Sequence, residues 1–176
     1  MMRLLVILLL LPGAVFAACP PTPDTSDRRA ALHTDLLNAR SETEAARVAE
    51  ALWHIWLTAP DAEAQDRLDR GMARREAWDL ADSEALLTEL IAYCPDYSEG
   101  YNQRAFTRFL RDDFEGALTD IDSVLAENPY HFGALSGRAL VFIRQGRAAL
   151  AQRALREVVA VHPFLQERAM IVDDDI

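Results

Sequence analysis

The chain has 176 residues, enough for one domain, and 51% of them are apolar, enough to fill a continuous core. The 28 acidic residues outnumber the 18 basic residues, all of which are arginine, and the formal net charge is −10. Such a surface repels phosphate backbones and anionic lipid head groups, which argues against nucleic-acid binding and against adsorption to a membrane surface.

Residues 1–18 have the pattern of a secretory signal peptide. Arg3 supplies the positive start, residues 4–11 form an unbroken apolar run, and small residues around Ala17 suit cleavage. The apolar run is too short to span a bilayer comfortably, which takes about 20 residues. We therefore predict an exported, periplasmic protein that has no membrane-inserted segment after cleavage.

The two cysteines of the chain, Cys19 and Cys94, allow three interpretations. An even cysteine count in an exported protein favours a Cys19–Cys94 disulfide. Alternatively, residues 16–19 resemble a bacterial lipobox, in which Cys19 carries a lipid anchor, although Phe16 stands where leucine is usual. The third interpretation is two free thiols. Two lone cysteines do not predict a metal site.

Residues 19–25 form a proline-rich lead-in, and residues 26–60 are predicted to form a pair of helices. Ser26 or Asp27 can cap the first helix. The second opens with a capping box at residues 41–44, in which a hydroxyl and a carboxylate satisfy free backbone amides. This second helix is apolar nearly all round, which is typical of a buried helix. Its Trp53 and Trp56 either seal one end of the fold or form an aromatic binding surface.

Three prolines, Pro95, Pro129 and Pro163, are each 34 residues apart. A period of this length indicates a solenoid of helix–turn–helix units, because no unit buries its own apolar face and neighbours must stack. The units are predicted at about residues 64–95, 98–129 and 132–163, within residues 61–163. Small residues keep the same spacing in the two helices of the units: Gly71, Ala105 and Ala139 in the first, and Ser83, Ala117 and Ala151 in the second.

The turns inside the three units differ in how well their residues suit a turn. Gly146 lies between the helices of the third unit, where glycine is favoured. Asp112 and Asp113 replace it in the second unit, and aspartate is tolerated in turns. In the first unit Trp78 stands at this place. The first unit is therefore the weakest of the three by sequence.

This pattern resembles the tetratricopeptide repeat (TPR) over residues 64–163. The resemblance implies an all-α fold, a right-handed α-α superhelix of about three helix–turn–helix repeats. The pair at residues 26–60 then becomes a degenerate extra repeat or an N-terminal cap, and residues 164–176 become a C-terminal cap with an acidic tail. The family is not catalytic as a whole, and its concave face usually holds a peptide or a segment of another protein. With the signal peptide, the resemblance implies an exported bacterial TPR protein.

In such repeats the residues that face the groove recur at helical spacing along the first helix of each unit. Phe106 and Phe109 offer an apolar floor, and Asn102 can hydrogen-bond a peptide backbone. The alternative is that the two phenylalanines pack against the N-terminal helices or a neighbouring turn. The groove positions by this spacing are Leu68, Met72 and Arg75, then Glu99, Asn102, Phe106 and Phe109, then Ser136, Leu140 and Ile143.

An arginine directly precedes the small residue of each first helix: Arg70, Arg104 and Arg138. An arginine that faces the stack needs a partner, because an unpaired buried charge is very costly. Asp120 in the second helix of the middle unit can bond Arg104, Arg138 or both. This column is either an internal salt-bridge ladder, the interpretation we favour, or a site that grips a carboxylate of the partner.

The sequence offers little for catalysis. His33, His54, His131 and His162 are scattered, with the last two in turns, and no Gly-rich phosphate loop, HExxH or Gly-x-Ser-x-Gly pattern occurs. We therefore predict no enzyme, no cofactor and no metal. The prediction is a protein- or peptide-binding scaffold of the cell envelope. The alternative is a lipid-anchored envelope assembly factor that is acylated at Cys19.

Overall fold

A computed structural model describes residues 18–172 of the chain. All but the last residue of the predicted signal peptide, and the acidic run at the end of the predicted tail, lie outside this range. The described part contains eight α-helices followed by a short 3-10 helix over Gln166–Met170. The α-helices are α1 (Ser26–Asn38), α2 (Glu42–Trp56), α3 (Ala62–Glu76), α4 (Leu80–Tyr93), α5 (Ser98–Leu110), α6 (Phe114–Glu127), α7 (Phe132–Arg144) and α8 (Ala148–Val161).

Helices α3 to α8 form three hairpins that stack in chain order. Each hairpin is antiparallel, and α4 packs on α5 as α6 packs on α7. The first helices of successive hairpins also touch, since α5 contacts both α3 and α7. The predicted all-α class with a TPR-like helical solenoid is confirmed.

The small residues of the repeat lie where helices come closest. A Cβ atom added to Gly71 would stand 2.8 Å from the Leu87 side chain of the partner helix. Ala105 and Ala139, one and two periods later, are buried, as are the small residues of the second helices. Larger side chains here would push the two helices of a hairpin apart.

The three turns inside the hairpins have the same geometry although their residues differ. Trp78, Asp112 and Gly146 all have left-handed backbone, with φ of 62°, 61° and 70°. After each of them a backbone N–H donates to a carbonyl five residues earlier, for example from Asp79 to Arg74 at 2.8 Å. This is the Schellman arrangement that ends helices. The weakest turn by sequence therefore forms the same structure as the others, with Trp78 67% exposed.

The N-terminal hairpin consists of α1 and α2, the pair predicted as a degenerate extra repeat or a cap. Its apolar face packs on the third repeat: Leu36, Leu52 and Trp56 join one core cluster with Phe132 and Val158. Gly133 makes this contact close, because a Cβ atom there would stand 2.6 Å from the Trp53 ring. The large rings of α2 thus fit beside α7, and the hairpin crosses from the first repeat to the third.

The lead-in is tied to the first repeat by a disulfide between Cys19 and Cys94, whose Cα atoms are 5.2 Å apart. Cys94 follows α4 and is buried. The bond uses the sulfur atom that acylation of Cys19 would need, so the disulfide and the lipid anchor exclude each other. At the other end of the chain, Phe164 and Leu165 are partly buried against the cluster that joins the hairpin to the third repeat.

The Trp78 turn predicts a stabilising substitution. Glycine adopts positive φ without the Cβ clash, and the exposed indole loses little burial, so Trp78→Gly should raise the free energy of unfolding by about 0.5–1 kcal/mol. Urea denaturation of both proteins measures the change. The control is Trp78→Ala, which keeps the Cβ atom and should give no such gain. Equal gains from glycine and alanine would show that the left-handed backbone is not the cause.

Candidate functional site

A cleft of about 350 Å³ lies on the face where α3, α5 and α7 run side by side. Seven of the ten predicted groove positions line it: Met72, Arg75, Asn102, Phe106, Phe109, Ser136 and Leu140. Three further predicted positions do not line it. Leu68 is fully buried in the core of the first repeat, Glu99 is buried below the cleft, and Ile143 is exposed outside it.

The floor of the cleft is aromatic. The Phe106 and Phe109 rings are nearly parallel, with centroids 6.4 Å apart, and Phe106 is 46% exposed. The Phe109 ring also packs against Phe114, the first residue of the second helix of the same repeat, with ring centroids 6.3 Å apart. The alternative of packing against a neighbouring turn thus applies in part to Phe109, whereas Phe106 presents its ring to the cleft.

The N-terminal hairpin supplies one wall of the cleft through Trp53 and Leu57. The sequence left the role of the two α2 tryptophans open, and in the structure the two side chains have different surroundings. Trp53 lines the cleft, and Trp56 is buried with its ring stacked on His131 at 3.8 Å. One of the two interpretations of the sequence made Trp53 part of an aromatic binding surface, whereas Leu57 was not predicted to line the groove.

A buried polar network supports the cleft from below. Glu99 and His131 are each 1% exposed, and their side chains meet at 3.0 Å between Oε2 and Nε2. The backbone N–H of Ala134 donates to Nδ1 of His131, so Nε2 carries the proton and donates to Glu99. The side-chain amides of Asn102 and Gln103 donate to the other oxygen of Glu99. One amide proton of Asn102 is therefore already committed before a ligand arrives.

Arg75 brings a positive charge into the cleft. Its guanidinium lies over the Phe106 ring at 4.8 Å and donates to the side-chain oxygen of Gln103 at 2.8 Å. Burial lowers its pKa, with nearby Glu76 and Glu99 acting in the opposite direction. Within residues 18–172 no carboxylate lies within ion-pair distance of Arg75. The cleft is therefore apolar with one cation at its edge.

The arginine column lies away from the cleft. Asp120, which is 2% exposed, accepts two hydrogen bonds from Arg104 at 2.7 and 2.9 Å and one from Arg108 at 2.9 Å. The bonds to Asp120 raise the pKa of Arg104. Arg138 does not reach Asp120 and pairs with Asp122 at 3.2 Å instead.

The first arginine of the column, Arg70, pairs with Asp66 on the surface of α3 at 3.2 Å. The column is therefore a set of local ion pairs rather than one continuous ladder. Arg108 was missed, because it lies one helical turn after Arg104 and breaks the repeat spacing.

Two curated proteins resemble the chain in part. A TPR repeat-containing protein of Rhizobium etli is 38% identical over 77 residues, which cover 44% of this chain and 38% of the relative. Tetratricopeptide repeat protein 36 of Xenopus tropicalis is 36% identical over 93 residues, which cover 53% of this chain and 41% of the relative. The chain thus spans well under half the length of either relative. No family model and no solved structure matches it. The two relatives support a TPR family for this chain.

The buried network predicts a large effect of an isosteric change. In Glu99→Gln an NH2 group replaces one of two oxygens that both accept hydrogen bonds, so a donor must face a donor. We expect the free energy of unfolding to fall by about 2 kcal/mol. Chemical denaturation measures it, with Glu115→Gln on the exposed face of α6 as the matched control, expected within about 0.5 kcal/mol of wild type. Similar losses in the two variants would contradict the network.

Proposed function

We propose that the chain is a non-catalytic scaffold that binds a segment of another protein in the cleft between α3, α5 and α7. The observation that carries this proposal is the open Phe106 ring at the centre of a cleft formed by all three repeats. Apolar surface exposed in a concave site is typical of binding sites. The TPR-named relatives suggest a protein-interaction scaffold, which agrees with this use of the cleft.

The residues that line the cleft indicate the chemical character of the segment that it binds. An apolar side chain of the partner fits on Phe106 and Phe109, opposite Leu140 and Met72. Ser136 and the remaining amide proton of Asn102 can hydrogen-bond the partner's backbone. Arg75 favours a segment that has an acidic group near its apolar residue, because the guanidinium has no carboxylate partner of its own in the described chain.

We also propose that the protein acts in the periplasm after export. The signal-like residues 1–18 support this location, and so does the Cys19–Cys94 bond, since disulfides persist in oxidising compartments. The lipid-anchored assembly factor is not favoured by any observation, because the Cys19 sulfur is bonded to Cys94. Among the helices of residues 18–172, none has the length and apolarity needed to cross a bilayer.

Site-specific photo-crosslinking tests the binding face. A photoreactive phenylalanine analogue replaces Phe106 in the cleft in one protein and Trp78, an exposed aromatic outside the cleft, in the other. In extract of the native cell, we expect a partner that crosslinks from position 106 and not from position 78.

The partner identified in this way is then titrated against purified variants. Phe106→Ala should weaken its binding by about tenfold or more, because truncation of a central aromatic anchor typically has this effect. Trp78→Ala should bind as wild type. Crosslinking of the same partners from both positions, or unchanged affinity of Phe106→Ala, would exclude the cleft as the binding face.

A further inference from the structure

The cleft between α3, α5 and α7 continues beyond the third repeat. A second hollow, of about 390 Å³, shares Trp53, Gly133 and Ser136 with the cleft and reaches the segment after α8. Phe164 and Leu165 give this hollow, the C-terminal extension, an apolar wall. Because the cleft and the C-terminal extension meet at shared residues, they form one continuous groove.

One face of α2 runs along this groove. Glu42 and Ala46 line the C-terminal extension, Trp53 lines both parts, and Leu57, the C-cap of the helix, lines the cleft. Their spacing of four, seven and four residues keeps them on one side of the helix. The helix has 15 residues and is therefore about 22 Å long. An extended segment covers this length with about seven residues.

Arg75, at the end of the groove formed by the first repeat, has unused hydrogen-bond donors. The residue is 9% exposed, and its Nη1 atom donates to Gln103. Its Nε and Nη2 atoms form no hydrogen bond within residues 18–172, yet neither atom is sealed from solvent. The charge is thus held in place while part of the guanidinium remains accessible. A carboxylate of the partner is the acceptor that such a guanidinium binds most strongly.

The C-terminal extension carries the opposite charge. Glu42 and Glu167 line it, and neither carboxylate has an ion-pair partner within residues 18–172. Glu42 is exposed and Glu167 is half-buried. Burial lowers the pKa of His162, which also lines the extension, against the opposing effect of Glu167, so this ring is neutral near pH 7. The groove therefore has a cation at one end and two anions at the other.

We propose that the groove binds an extended segment of about seven residues that has an acidic residue towards one end and a basic residue towards the other. The acidic group pairs with Arg75, and an apolar side chain covers Phe106. The basic group lies beside Glu42 and Glu167. This inference rests on the proposed function, because it describes the segment that the same cleft binds. It adds a second anchoring site and a preferred orientation of the bound segment.

Selection from a library of random seven-residue peptides displayed on phage tests the inference on the protein with its disulfide intact. The peptides of interest are those that the wild type enriches and Phe106→Ala does not. We expect them to combine a central apolar residue with an acidic residue on one side and a basic residue on the other. Selection by the double variant Glu42→Gln/Glu167→Gln should lose the basic preference and keep the acidic and apolar preferences.

A synthetic peptide from the enriched set gives the size of the effect. Its affinity for Glu42→Gln/Glu167→Gln should be about fivefold weaker than for the wild type, as expected for two solvent-exposed ion pairs. Glu115→Gln/Glu127→Gln removes two exposed charges from α6 outside the groove and should bind as wild type. Glutamine in place of the peptide's basic residue should cause the same loss in the wild type and no further loss in the first double variant.

The failure of this inference differs from the failure of the proposed function. An absence of peptides that depend on Phe106 would overturn both. Phe106-dependent peptides that lack either charged preference would overturn this inference alone. So would a basic preference that Glu42→Gln/Glu167→Gln leaves unchanged, or an equal loss of affinity in the two double variants.

Discussion

The contact between Trp56 and His131 holds the parts of this structure together. The Trp56 ring belongs to the N-terminal hairpin and stacks on His131 at the start of the third repeat. His131 in turn donates to Glu99 at the start of the second repeat, and the Trp56 carbonyl accepts from the Tyr97 hydroxyl at 2.7 Å. Trp56 thus contacts two successive repeats, through its ring and through its backbone carbonyl.

The hairpin converts an open stack of three repeats into a closed unit. In a bare solenoid each repeat touches only its neighbours, and the ends fray independently. Here the Cys19–Cys94 bond fixes the lead-in to the first repeat, while the apolar face of the hairpin packs on the third. With the two cysteines 75 residues apart, the loss of chain entropy in the unfolded state stabilises the fold by about 4.5 kcal/mol. The cleft between the first helices gains its end wall, Trp53, from the same crossing.

The parts of the structure that could be predicted from the sequence depend on periodicity, and the parts that were missed are contacts without a period. Helical spacing within a 34-residue repeat was enough to place Phe106, Phe109 and Leu140 on one surface. The position of the hairpin depends on rings of α2 that meet residues of α7 far along the chain, and no spacing rule links them. One repeated position does mark the contact with the hairpin. Tyr97 and His131 are 34 residues apart, and both contact Trp56: the Tyr97 hydroxyl donates to its carbonyl, and the His131 ring stacks on its ring.

The distance between Trp53 and Gly133 tests this account most directly. It reports both that the hairpin packs on the third repeat and that Trp53 forms the end wall of the cleft. Nuclear Overhauser effects of the Trp53 ring protons in the oxidised protein measure it. We expect strong effects to the α-protons of Gly133 and to the Phe132 ring. Effects from Trp53 to residues of α3 and α4 instead, with none to Gly133, would contradict the crossing and would place the hairpin in front of the first repeat.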